Sequence, residues 1–236
     1  MTRPPLHAPP LPSQLQIGEI EEFCLRRAFW PVLGADEVGR GPLAGPVVAA
    51  AVVLRDDAAR TGHGLAGLND SKKLTAAARE ALVPAIHAAA LAWAVEAAEV
   101  DEIAQYNILG ASLRAMARAG QRVIAQLRAD GRALPQLWLI DGNQVLRDPQ
   151  AGLQLTVVKG DGRSRSIAAA SVLAKVWRDD HLVQLDRQFP GYGLAQHKGY
   201  PTADHLAALQ QLGPCPQHRA GYAPVQVAAR QLGLFG

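Results

Sequence analysis

Four carboxylates in this chain sit where chemistry can use them. Asp36 and Glu37 stand side by side in "GADEVGRGPLAG" (34–45), Asp141 closes "LWLID", and Asp161 lies in "VVKGDG". Like charges brought close together repel and raise each other's pKa, so a group of acids is tolerable at neutral pH when cations hold it together. Every ligand on offer is a hard oxygen, with no cysteine or histidine pair nearby. That donor set selects Mg²⁺ or Mn²⁺ over zinc. Two such ions about 4 Å apart would hold the attacking and the leaving oxygen of a phosphoryl transfer. Arg40 follows the acidic pair between Gly39 and Gly41. A guanidinium can fork a phosphate, and glycine lets a backbone come close to a ligand. Taken singly, each feature has a plainer reading: an aspartate after a strand is a turn residue or a cap, and Lys72 and Lys73 are solvated.

The elements that must position these acids follow from the apolar pattern. The sequence predicts strands at "PVLGADE", "GPVVAAAVVLR", "LAWAVEAAE", "PQLWLIDG" and "LQLTVVKGDG". The second is apolar throughout, which fits a central strand. A short helix is expected near 17–27. Another starts at an N-cap Thr75, with Pro84 expected to kink or shorten it. "VDEIAQYNILGASLRAMARAGQRVIAQL" reads as one long amphipathic helix, and "SRSIAAASVLAKVWRDDHLVQLDRQF" as a second long one. A shorter helix runs from the Thr202 cap to a stop at Gly213. This order fits a mixed sheet with helices on its faces. Asp36 and Glu37, Asp141 and Asp161 then stand at three strand ends, where open α/β sheets collect their sites. Neighbours on a regular strand face opposite sides. Asp36 and Glu37 therefore both reach the metals only if the chain bends there, and the glycines that follow make a bend cheap.

At 236 residues the chain can bury one full core. Its mild basicity, with pI near 9.1, permits an anionic partner. Two cysteines, Cys24 and Cys215, make no disulfide framework and fit a reduced, cytoplasmic protein. No apolar run reaches the length of a membrane span. The proline-rich stretch 1–16 reads as a disordered arm rather than a signal peptide.

Together, "GADEVGRGPLAGPVVAAAVVL", "NDSKKLT", "NILGASLRAM", "LIDGN", "VVKGDGRSRSIAAASVLAKVWRD" and "YGLAQHKGYPTADHLAALQQLGPCPQHRAGYAPV" resemble ribonuclease HII, in that family's order, over roughly 32–225. The resemblance implies an α/β, ribonuclease H-like fold: a mixed five-stranded sheet flanked by helices, with a small C-terminal helical extension. The expected divisions are a catalytic domain at 17–190, the extension at 191–225 and a flexible tail at 226–236. It implies metal-binding carboxylates at Asp36, Glu37, Asp141 and Asp161. It implies that Gly39, Arg40 and Gly41 sense a ribose 2′-hydroxyl and that Tyr200 stacks on the sugar beyond an RNA–DNA junction. The implied activity is an endoribonuclease that cuts the RNA strand of RNA–DNA hybrids and nicks 5′ of ribonucleotides embedded in duplex DNA, leaving 3′-hydroxyl and 5′-phosphate ends. The residues agree. A 2′-hydroxyl is the group that tells RNA from DNA at one sugar. Lys72, Lys73, Lys159, Arg163, Arg165, Lys175 and Lys198 can contact a phosphate backbone without reading sequence.

Two rival classes differ in one feature each. A DNA nuclease or transposase with a similar acidic core has no need of a 2′-hydroxyl sensor. A non-catalytic nucleic-acid-binding module gains nothing from four acids that repel phosphate. At the end of the chain, Gln231, Leu232, Leu234 and Phe235 resemble the short peptide with which bacterial repair proteins dock on the DNA sliding clamp. The protein is otherwise expected to be a monomer.

Overall fold

The computed structural model describes residues 15–69, 71–148 and 150–231, with the side chain of Lys72 excepted. Five strands form one sheet: β1 Val32–Val38, β2 Val47–Leu54, β3 Ala90–Ala98, β4 Leu137–Asp141 and β5 Gln154–Val157. Their order across the sheet is β3-β2-β1-β4-β5. β1 pairs antiparallel with β2 and parallel with β4, so it lies between the two halves. β2 is buried along its whole length and divides its side chains between two cores. Val47, Ala49, Ala51 and Val53 face one core, and Val48, Ala50, Val52 and Leu54 face the other. The mixed five-stranded sheet with helices around it is the architecture expected from the sequence.

Helix α1 (Glu19–Arg26) starts the described chain, and α2 (Asp56–Thr61) follows β2. The sequence pattern gave no sign of α2, which has only six residues. Helix α3 (Ala76–Ala89) starts at Thr75, whose hydroxyl accepts from the Ala78 N–H. Pro84 neither ends nor visibly shortens it, since the helix runs five residues further and Ile86 and Ala89 are buried. Packing of that apolar face outweighs one lost backbone bond. Helix α4 (Val100–Ala129) is not a single regular helix. At Asn107 the backbone turns to φ 57°, ψ 171°. The Asn107 side chain then caps a fresh start, accepting from Leu109 N at 3.0 Å and Gly110 N at 3.1 Å. Beyond the break, Gly120 lets α4 pass over Trp138, whose ring would lie 2.2 Å from a Cβ there.

Helix α5 (Arg165–Gln188) is capped by Ser164 and crosses β1 at backbone distance. A Cβ on Gly34 would lie 2.3 Å from the Ser166 carbonyl carbon. The buried run Ala168, Ala169, Ala170 serves this close approach. Three short helices complete the chain: α6 Leu194–His197, α7 Ala203–Leu212 and α8 Ala223–Gln231. Thr202 caps α7 as expected, and Gly213 stands at its other end. The division at 226 needs correction. Residues 226–231 belong to α8, which buries Val225, Ala228 and Ala229, with Val225 and Ala228 packed near Leu43 and Leu209. No helix of the described residues is long and apolar enough to cross a membrane.

Candidate active site

β1 and β4 run parallel, with Ala35 opposite Ile140. One residue on, at the carboxyl ends of both strands, come Asp36 and Asp141. Asp161 stands just past β5, in a 3-10 turn at Gly160–Gly162 that leads into the N-terminus of α5. The sheet order thus brings together acids more than a hundred residues apart.

Each acid is held by its own surroundings. Asp36 is buried; its Oδ1 accepts from Glu37 N at 2.7 Å, and the Ser171 hydroxyl of α5 tempers the rise of its pKa. Ser171 in turn shares a 2.8 Å hydroxyl contact with Ser71 of the "NDSKK" segment. Asp141 accepts from Gly160 N at 2.6 Å. Burial pushes the Asp36 carboxyl well above the usual carboxylate range, and Asp141, Glu37 and Asp161 push it further. Glu37 is raised as well, first by burial and then by Asp141, while Arg40 opposes the rise. These mutual effects identify one electrostatic cluster.

No bend joins Asp36 to Glu37. β1 stays in register with β2 through Val38. Asp36 shares its face with Gly34 and α5, while Glu37 points to the α4 side. There it lines a cavity of about 80 Å³ with Arg40, Ser112, Met116, Asp141 and Asn143. Asp141, at the strand end, borders both sides. Among the described residues no three His, Cys, Asp or Glu side chains converge closely enough to enclose an ion as they stand. The donor set still fits a hard divalent cation: all four groups are carboxylates, and the most buried one is strained by the charge of the others.

The segment after the acids is pinned from outside. Gly39 has φ +95°, and a Cβ there would lie 2.3 Å from Arg178 Nε. Gly41 differs: a Cβ would reach Tyr200 at an ordinary 3.5 Å. The two glycines of the motif therefore do different work, one structural and one facing Tyr200. Arg178, fully buried on α5, donates to the carbonyls of Pro46, Lys198 and Ala44. Arg219 donates to those of Gly39, Arg40, Pro42 and Gly45. Leu43 N also donates to Gly199 O at 2.7 Å, tying the segment to the Tyr200 loop. Sequence reasoning missed Ser71, Ser171, Arg178 and Arg219. A signal existed for Arg178, which falls four residues after Ala174 and four before Leu182 on the buried stripe of α5.

The expected phosphate contacts divide. Arg40 is half-exposed and reaches Glu37 Oε1 at 3.4 Å. Tyr200 is exposed. Lys159 and Lys198 both adopt left-handed backbone, with Lys198 Nζ donating to Ala195 O. Lys73 is exposed, Arg163 is half-buried just past the turn that carries Asp161, and the side chain of Lys72 is outside the described residues. Two further basic side chains are engaged within the fold. Arg165 donates to the carbonyls of Ala59 and Arg60, joining α5 to α2. Lys175 is partly buried and pairs with Asp179 at 2.7 Å. Both already have intramolecular partners. Of the proposed clamp peptide, only Gln231 is described, as the last residue of α8; Leu232, Leu234 and Phe235 lie outside the described residues.

The family model described as ribonuclease HII matches residues 33–225. Among solved structures, the ribonuclease H2 of Pyrococcus horikoshii OT3 is similar at TM-score 0.64 and 22% identity, covering 86% of this chain and 98% of that one. Bst-RNase HIII in complex with Mn²⁺ gives TM-score 0.68 and 22% identity, covering 84% and 69%. The RNase HII of the Archaeoglobus fulgidus PCNA:RNase HII complex gives 0.60 and 24%, covering 77% and 86%. These likenesses share the fold, and the family match covers most of the chain.

Proposed function

From the premise that the chain belongs to the ribonuclease HII family, and is thus a metal-dependent ribonuclease acting on RNA–DNA hybrids, we propose that it also nicks duplex DNA 5′ of single embedded ribonucleotides. The observation that carries this reading is one short segment. Gly39–Pro42 begins beside the acid cluster and, at Gly41, comes against Tyr200, so the acids and an exposed aromatic are tied to the same backbone.

Asp36, Glu37, Asp141 and Asp161 would hold the metal, Mg²⁺ or Mn²⁺, two ions per site with substrate. Such ions supply activation of the attacking water and neutralisation of the leaving oxygen, giving 3′-hydroxyl and 5′-phosphate ends. The chain's own residues do the rest. Gly41 offers backbone to a 2′-hydroxyl, and Arg40 reaches the adjacent phosphate. Tyr200 offers a face to the next sugar. Lys72, Lys73, Lys159, Arg163 and Lys198 supply contacts that do not read sequence. One relative is recorded in complex with PCNA. A tail docking on the sliding clamp is the corresponding reading for Gln231, Leu232, Leu234 and Phe235, in a protein that is otherwise a monomer. Deleting 231–236 should abolish clamp binding in an anisotropy titration without changing cleavage.

The test of the main reading is a duplex DNA with one ribonucleotide, incubated with and without Mg²⁺ or Mn²⁺. A single metal-dependent nick 5′ of that residue is expected. Cleavage of long hybrids with none of the single-ribonucleotide duplex would overturn the junction reading.

A further inference from the structure

We propose that His205 and His218 are positioning residues that fix the Tyr200 backbone through a chain of neutral-imidazole hydrogen bonds running from Cys215 to the Tyr200 carbonyl. The inference rests on the reading of Tyr200 given above.

The hydrogen-bond directions follow from the groups with no choice of role. The backbone N–H of Cys215 points at His218 Nδ1 at 3.0 Å. A backbone N–H can only donate, so Nδ1 of His218 bears the lone pair and its proton sits on Nε2. That Nε2 lies 3.1 Å from His205 Nε2. With His218 as donor, His205 Nε2 must accept, which leaves the His205 proton on Nδ1. His205 Nδ1 is 2.9 Å from the Tyr200 carbonyl oxygen, an acceptor only. Every link is satisfied by one pair of tautomers and by no other neutral pair. A second proton on either ring would set two hydrogens against each other at one link.

The surroundings hold the rings in place. Both histidines are buried, His205 completely. His197 stacks on His205 with ring centroids 4.2 Å apart, and Tyr192 tilts against His218 at 4.9 Å. His197 has its own fixed tautomer: Gly199 N donates to its Nδ1, and its Nε2 faces the Tyr192 carbonyl at 2.7 Å. The Cys215 sulfur also lies 3.1 Å from His218 Nδ1. Burial lowers the pKa of both His205 and His218, and each of them is lowered further by a neighbouring imidazole, so the neutral forms are favoured. Arg219, next in the chain after His218, grips the Gly39–Gly45 carbonyls. The same segment therefore bears on both partners of the Gly41–Tyr200 approach: Arg219 holds the carbonyls of Arg40 and Pro42 on either side of Gly41, and His218 through His205 holds that of Tyr200.

Three measurements test this on the full chain. Long-range ¹⁵N–¹H correlation spectra of the wild type should show His218 protonated at Nε2 and His205 at Nδ1. The reverse tautomers, or a doubly protonated ring at neutral pH, overturn the proposal without any variant. Next, Tyr200→Ala should reduce cleavage of a single embedded ribonucleotide by about tenfold or more, with a smaller loss of duplex binding. His205→Leu should give a several-fold loss in the same assay, while His205→Asn keeps a donor near the Nδ1 position and should recover most of it. Finally, His205→Leu should add almost nothing in the Tyr200→Ala background, because residues acting through one group are not additive. A full additional loss there overturns the positioning role while leaving Tyr200's role intact. No loss from Tyr200→Ala itself overturns the reading of Tyr200 and the inference with it.

Discussion

Two buried charged regions lie within one loop of each other and are built on opposite terms. At the strand ends, Asp36 is buried beside Asp141, Glu37 and Asp161, so its nearest charges have its own sign. Behind the Gly39–Pro46 segment, Arg178 and Arg219 are buried too, but their guanidiniums are surrounded by carbonyl oxygens. Arg178 is pushed down to about 10, by burial first and Arg219 second, yet each of its nitrogens has an oxygen to donate to. A buried charge whose hydrogen bonds are complete holds a shape. A buried charge pressed against its like has electrostatic capacity to spare for a ligand of opposite sign.

The largest expected effect breaks the acidic side. Asp36→Asn should lower cleavage by at least a hundredfold to a thousandfold, the scale of losing one preorganised electrostatic group, with substrate binding kept or tightened. The same variant should melt higher than the wild type without metal, because it removes a charge that the fold holds at a disadvantage. Near-normal turnover in Mg²⁺ would remove Asp36 from the site. Next comes the arginine side. Arg219→Met strands several carbonyls and should cost roughly 3 kcal/mol or more, a fall of about 6–12 °C at this chain length. Calorimetry checks it, and an unchanged melting temperature would show the loop needs no clamp.

A smaller effect separates the two glycines. Gly39→Ala meets both a left-handed backbone and Arg178 Nε, and should cost on the order of 2 kcal/mol. Gly41→Ala has room for its Cβ, so its melting temperature should stay within about 1–2 °C while cleavage at a single ribonucleotide drops. Equal melting losses would erase the distinction.

The smallest effect is one of pH, and the two regions should respond with opposite sign. The folded state holds the Asp36 proton to higher pH than the unfolded chain does, so ionisation weakens the fold as pH rises and acid relieves it. His218 falls from an ordinary 6.5 to about 4 in the fold. Between those values the unfolded chain binds a proton that the folded state refuses, so stability drops as pH falls from about 6.5 to 4. Melting curves across that range should show Asp36→Asn, which lacks the acid relief of Asp36, losing stability as pH falls, while its advantage over the wild type shrinks. An advantage that grows in acid would contradict the sign argued for Asp36.

The five strands were legible because β2 and β4 are apolar runs bounded by clear punctuation, and the acids because each follows such a run. The α4 break was not: the apolar spacing continues through Asn107, and only its side-chain cap marks the new start. Pro84 misled for the opposite reason, since tertiary packing kept a helix that local preference would have ended. The spacing of Arg178 from Ala174 and Leu182 marks it as buried, but its partners at Ala44 and Pro46 lie more than 130 residues earlier. Long-range carbonyl partners leave no local trace. The bend that a shared position for Asp36 and Glu37 would need is absent, because β1 keeps its pairing with β2 through Val38, and Asp141 lines the cavity on the Glu37 side while its charge also acts on Asp36.

The crossing of α5 over Gly34 carries a mechanical consequence. Most helix–sheet seams are cushioned by side chains that can change rotamer and absorb a displacement. Here the Ser166 backbone rests almost on the strand, so this seam has nearly no compliance. Asp36 lies two residues along that strand, and Asp161 lies in the turn from which the helix starts. Their spacing is thus set by main chain against main chain. Heat or a nearby core substitution should loosen the outer helices well before it changes the distance between these two carboxylates.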